Sequence, residues 1–95
     1  MKTVKATEKD MSELYKIILK LKTPAETKNF FQDLCTISEL NSMAERWKVV
    51  KMLEKNISYR EISKETGSST ATVTRIAHWF YHGMGGYKLA LKRSM

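Results

Sequence analysis

The chain has 95 residues, 28% of them charged, a net charge of +7, one cysteine and one proline. At this length one domain (1–95) with a modest core is expected, and a lone cysteine excludes an intrachain disulfide and a cysteine-based zinc finger. No apolar run approaches the roughly 20 residues that cross a bilayer, and residues 1–10 lack an apolar core of signal-peptide length, so a reducing cytoplasm is the expected compartment.

Residues 1–7 are expected to fray. A first helix is predicted from Glu8 to Leu21, with Met11, Leu14 or Tyr15, Ile18 and Leu21 on one stripe and Ile17 and Leu19 beside it. So broad an apolar surface suits burial from two sides, as against a partner chain. Thr23-Pro-Ala-Glu26 reads as a capping box with proline at the first helical position, opening a helix to Leu34 whose Phe30 and Phe31 are expected to plug the core. Cys35 is expected to act as a small buried side chain. Thr36-Ile-Ser-Glu39 is a second box. It opens the longest periodic segment, to Lys55, with Ile37, Leu40, Met43, Trp47, Val50 and Leu53 on one stripe and Ala44 and Val49 beside it.

The next stretch carries the functional signal. Ser58 and Glu61 have capping-box spacing, and Ile62 faces inward. Gly67 stands where a helix ends in a left-handed residue, and Ser68 or Ser69 can cap the helix that starts near Thr70. There Val73, Ile76 or Ala77, and Phe80 make one apolar face. The opposite face offers Ser69, Thr70, Thr72, Thr74 and Arg75. Small hydroxyl residues let a helix approach base edges in a major groove, and the methyls of Ala71 and the threonines can meet a thymine methyl. An ordinary two-helix corner with a solvated outer face has the same pattern. Gly83, Gly85 and Gly86 end this segment, and a last short helix is predicted from Tyr87 to Arg93 with Leu89 and Leu91 inward.

Charge follows the same division. Residues 1–45 hold seven basic and seven acidic side chains, whereas residues 46–95 hold ten basic and three acidic, the whole net charge of +7. A basic half attracts a polyanion, and phosphate neutralisation supplies most non-specific DNA affinity.

The runs Leu34-Cys-Thr-Ile-Ser-Glu-Leu40, Ala44-Glu-Arg-Trp-Lys-Val-Val50, Tyr59-Arg-Glu-Ile62 and Thr66-Gly-Ser-Ser-Thr-Ala-Thr-Val-Thr-Arg75 resemble the Trp repressor-like family, in particular its YerC/YecD branch of short proteins from Gram-positive bacteria. The last run is the most specific. The resemblance implies an all-α fold: a six-helix Trp repressor-like helix-turn-helix subunit in an intertwined homodimer. Residues 8–55 would form the dimerisation helices, 58–81 the helix-turn-helix and 86–93 the C-terminal helix. It implies Ser69, Thr70, Ala71 and Thr74 near base edges, Ser58, Tyr59, Arg60 and Lys64 near phosphates, and Arg75 at either DNA or an effector pocket; Ser68 is expected among the DNA-binding residues with them. That pocket would include Thr36, Arg46, Arg75, Ile76 and Trp79. The family's repressor takes L-tryptophan as corepressor. Ile76 replaces a small pocket residue and Trp79 a ligand-contacting serine, so both are expected to fill the space of an indole. L-tryptophan is therefore not expected to serve here, while another small effector stays open.

The function expected is a sequence-specific DNA-binding transcriptional regulator, a repressor, binding a near-palindromic operator as a homodimer through residues 70–80. The alternatives are a protein-interaction adaptor with a basic helical face and a regulator responsive to a small effector. His78 and His82 have metal-clamping spacing, but no third ligand lies nearby in sequence. Trp79, Phe80, Tyr81 and Tyr87 fit packing better than base stacking. No nucleophile–base set or paired carboxylates suggest an enzyme, and no cofactor or metal is implied.

Overall fold

A computed structural model describes residues 5–94. These residues form six helices and no strand: α1 Glu8–Ile18, α2 Pro24–Leu34, α3 Ile37–Glu54, α4 Tyr59–Thr66, α5 Thr70–His82 and α6 Gly86–Arg93. The expectation of fraying over residues 1–4 lies outside the described residues. None of the described helices is long and apolar enough to cross a membrane. The chain divides into two compact units, one up to Leu40 and one from Asn41 onward, so the division falls inside α3.

In the first unit each helix begins on a threonine cap. The Thr7 hydroxyl accepts from the Asp10 N–H at 3.1 Å, and the Asp10 carboxylate accepts from the Thr7 N–H at 2.9 Å, a full capping box. Helix α1 stops a turn before the predicted Leu21. The amides of Lys20 and Leu21 bond three residues back, to Ile17 and Ile18, which tightens and ends the helix ahead of the extended Thr23 that must precede Pro24. Thr23 caps α2 as predicted, at 3.1 Å from the Glu26 N–H, but the Glu26 carboxylate reaches past it to the N–H of Lys22 at 3.0 Å. Thr36 and Glu39 make the full predicted box, at 3.1 and 2.9 Å. The two boxes hold the Asp10 and Glu39 carboxyls below the usual carboxylate range. The backbone N–H of the threonine is the larger cause and its hydroxyl the lesser. Neither α1 nor α2 has a fully buried residue. Phe30 and Phe31 meet edge to face with ring centroids 5.7 Å apart, but both are only half-buried, so they do not plug a core as expected; Cys35 is likewise half-buried.

The second unit holds the core: Val49, Val50, Met52, Leu53, Ile62, Val73, Ile76, Ala77 and Phe80. The predicted α3 stripe is buried only toward its C-terminal end. Ile37 and Met43 are exposed, while Val49 and Met52 join the core. A helix stripe is one of several apolar rows, and the packed neighbour decides which row is covered. Helix α3 ends at Glu54, and Asn56 takes a left-handed φ of 60°, a conformation asparagine tolerates better than most residues. Helix α4 packs against α5 across the connection Gly67–Ser69. Gly67 has the predicted left-handed φ of 78° and its N–H bonds to the Ser63 carbonyl. Ser58 caps α4 at 3.2 Å from the Glu61 N–H, the forward half of the predicted box. In α6, Tyr87 and Leu91 pack against the core, four residues apart on one face. Leu89 falls on the opposite side and is 47% exposed, correcting its expected inward placement.

Candidate nucleic-acid interface

Helix α5 presents two unlike faces because its sequence alternates at helical spacing. Val73, Ile76, Ala77 and Phe80 are buried against the core, and Thr70, Ala71, Thr74, Arg75 and His78 are exposed. Ser69 caps the helix: its hydroxyl accepts from the Thr72 N–H at 3.1 Å and donates to the Thr72 hydroxyl at 2.9 Å. The Thr74 hydroxyl donates to the Thr70 carbonyl at 2.8 Å. Its proton is thereby committed within the helix, leaving lone pairs and a methyl to face outward. A helix edge of this kind can accept from an adenine or cytosine amino group and touch a thymine methyl.

Helix α4 supplies the flank. Ser58, Tyr59, Arg60 and Lys64 are all exposed, so two cations and two hydroxyls stand on the helix that precedes the slim face. The predicted base- and phosphate-contacting residues thus share one solvent-facing corner, with one departure. Ser68 is 6% exposed. Its hydroxyl donates to the Glu45 carboxylate on α3, its carbonyl accepts from the Ser63 hydroxyl at 2.5 Å, and its N–H donates to the Thr66 hydroxyl at 3.2 Å. Ser68 therefore faces the protein rather than a partner.

Behind the corner lies a cavity of about 510 Å³, within the range that holds small ligands. It brings together four of the five predicted pocket residues: Arg46 from α3, and Arg75, Ile76 and Trp79 from α5. The fifth, Thr36, caps α3 in the other unit. Arg75, left between DNA and pocket by the sequence, lines the cavity. Trp79 and Ile76 are walls, not a plug: Ile76 is buried, whereas the Trp79 side chain stands 58% exposed, so space remains beside them. Gly83 backs Trp79 closely. A Cβ there would stand 2.3 Å from the Trp79 carbonyl oxygen and 3.4 Å from its ring, so only glycine fits.

Ser42, Glu45, Thr72 and Tyr87 complete the cavity and were missed in the sequence. A signal was present for three of them. Ser42 and Glu45 lie four and one residues before Arg46 on α3, and Thr72 lies three before Arg75 on α5, spacings that share or adjoin a helix face. Tyr87 had no local signal. His78 and His82 face each other with ring centroids 5.4 Å apart. No group of three or more histidine, cysteine or acidic residues able to hold a metal is found among the described residues.

Six helices with a slim-faced α5, a flanking α4 that carries Arg60 and Lys64, and a cavity behind the corner define a Trp repressor-like all-α fold. The chain belongs to the Trp repressor family: residues 9–95 match the family described as Trp repressor protein. It is 41% identical to the protein YerC of Bacillus subtilis (strain 168) over 93 residues, covering 98% of this chain and 89% of that one. It is 32% identical to the Trp operon repressor homolog of Chlamydia caviae over 71 residues, covering 74% and 70% of the two chains. The crystal structure of a TrpR-like protein from Eubacterium eligens superposes with a TM-score of 0.84 at 38% identity, covering 92% of this chain and 89% of that one.

Proposed function

We propose that this protein is a sequence-specific DNA-binding transcriptional regulator, a cytoplasmic repressor that acts as a homodimer on a near-palindromic operator and has no enzymatic activity. The observation that carries this reading is the outer edge of α5, where Ser69, Thr70, Ala71 and Thr74 are exposed while the opposite edge is fully buried. Arg60 and Lys64 on α4 supply phosphate contacts beside it, which makes binding steeply salt-dependent. Family membership and the 32% identity to a Trp operon repressor homolog support the same class. The exposed apolar residues of α1 support the dimer, whose two-fold axis sets half-sites about one helical turn apart.

Ile76 and Trp79 stand on the cavity lining where the resemblance sets a small residue and a ligand-contacting serine, and that change of lining, rather than a filled cavity, supports a regulator that works without L-tryptophan as corepressor. Calorimetry with L-tryptophan is expected to show no saturable heat. The open cavity of about 510 Å³ favours a second reading, a regulator responsive to another small effector.

Selection of bound duplexes from a random pool tests the function. A recovered near-palindrome is expected. Thr70→Glu and Thr74→Glu should each lower affinity for it by more than about a hundredfold, because a carboxylate then faces base edges and phosphates. No enriched sequence, or both variants binding like the wild type, assigns the basic face to a protein partner instead.

A further inference from the structure

The turn between α4 and α5 is tied to α3 by one side-chain contact across 23 residues of sequence. The Ser68 hydroxyl, buried at 6% exposure, donates to the Glu45 carboxylate. The same residue is held twice more, by the Ser63 hydroxyl on its carbonyl and by its own N–H on the Thr66 hydroxyl. Those two bonds close the turn upon itself. Among the described residues, only the Glu45 hydrogen bond runs from this network to α3. One residue further on, Ser69 begins α5 as its cap. The start of the slim helix is therefore positioned through Ser68.

We propose that Glu45 and Ser68 form a positioning pair that fixes the direction of α5 for base reading. The inference rests on the DNA-binding function proposed above. Neither residue touches DNA: Ser68 faces inward and Glu45 lines the cavity. An anionic acceptor makes the stronger class of hydrogen bond, and a buried hydroxyl without its acceptor loses more than the bond itself. Without the carboxylate the turn samples several orientations, and sequence discrimination falls before non-specific affinity does. Glu45 also stands on the cavity wall, so one carboxylate serves both the cavity and the turn.

The test compares Glu45→Ala, Glu45→Gln, Ser68→Ala and the double alanine variant. The two Glu45 substitutions remove the same charge, so any gain from reduced phosphate repulsion is common to both. Glutamine keeps an oxygen that accepts from Ser68; alanine does not. The ratio of operator to random-duplex affinity should fall about tenfold in Glu45→Ala and stay within about threefold of wild type in Glu45→Gln. The double variant should be no worse than the weaker single one, since both remove one bond. In the free protein, hydrogen exchange at the Ser68 and Thr72 amides, which bond to the Thr66 and Ser69 hydroxyls, should rise at least about tenfold in Glu45→Ala and Ser68→Ala, with the Val50 and Leu53 amides unchanged. Wild-type discrimination and turn protection in Glu45→Ala, or additive losses in the double variant, overturn the pair. If the wild type itself selects no duplex, the DNA-binding reading has failed, and the exchange measurement still decides the pair.

Discussion

The two units of this chain carry apolar residues at the same helical spacing and use them differently. From Asn41 onward the apolar rows of α3, α4 and α5 meet one another and nine apolar residues are buried. Up to Leu40 the rows of α1 and α2 bury none, and Leu19 is 84% exposed. The difference teaches that helical spacing reports which face is apolar, not what covers it. The covered unit accounts for the stable display of α5. The uncovered one supports the proposed dimer, because a second copy is an occupant of matching chemistry.

Four outcomes break or sharpen this contrast. Ile62 is fully buried, so Ile62→Ala should cost about 2–5 kcal/mol in denaturant unfolding compared with the wild type at the same protein concentration; a cost below about 1 kcal/mol contradicts the assigned core. The paired change Ile17→Glu/Leu19→Glu should weaken self-association by at least about a hundredfold in sedimentation equilibrium, since it places carboxylates where the partner packs. If both side chains face solvent in the functional protein, the change stays within about 0.5 kcal/mol and the dimer face lies elsewhere. In the second unit, Ser58→Ala removes the cap of α4 and should cost about 1 kcal/mol, read as a lowered melting temperature with the operator sequence unchanged.

The smallest effect comes from acid. The Asp10 and Glu39 carboxyls are held below the usual range by their threonine partners. A depressed folded value means that their contribution is fully present above the ordinary carboxyl range, about pH 4, and is lost as pH falls through the lower folded values. Thr7→Ala and Thr36→Ala should move the two titrations, followed by NMR, part of the way back toward the ordinary range, because each removes the hydroxyl, the lesser cause, and keeps the backbone N–H. Unmoved titrations separate the shift from the caps.

What the sequence disclosed follows the reach of each interaction. The caps at Thr23, Thr36 and Ser58 are local patterns, and so is the left-handed Gly67; all were legible. The apolar face of α5 was legible because Val73, Ile76, Ala77 and Phe80 lie within eight residues and repeat at one period. The end of α1 was not, because its stripe runs on to Leu21 while the backbone must turn ahead of Pro24. Leu89 was misassigned because a helix of eight residues shows too few repeats to set its phase. Ser68 was read as facing a partner because Glu45, which turns it inward, lies 23 positions away. Half of the cavity-lining residues, Arg46, Arg75, Ile76 and Trp79, could be inferred from the resemblance, but not the space left beside Trp79, which depends on its rotamer.

The central claim is that the outer edge of α5 reads bases while α4 only holds the duplex. Repeating the random-pool selection with Thr74→Asn and with Lys64→Ala tests it most directly. The account predicts that Thr74→Asn recovers a half-site altered at one or two base pairs, whereas Lys64→Ala recovers the wild-type site with weaker, less salt-sensitive binding. Recovery of the same site by Thr74→Asn, or an altered site from Lys64→Ala, would contradict it.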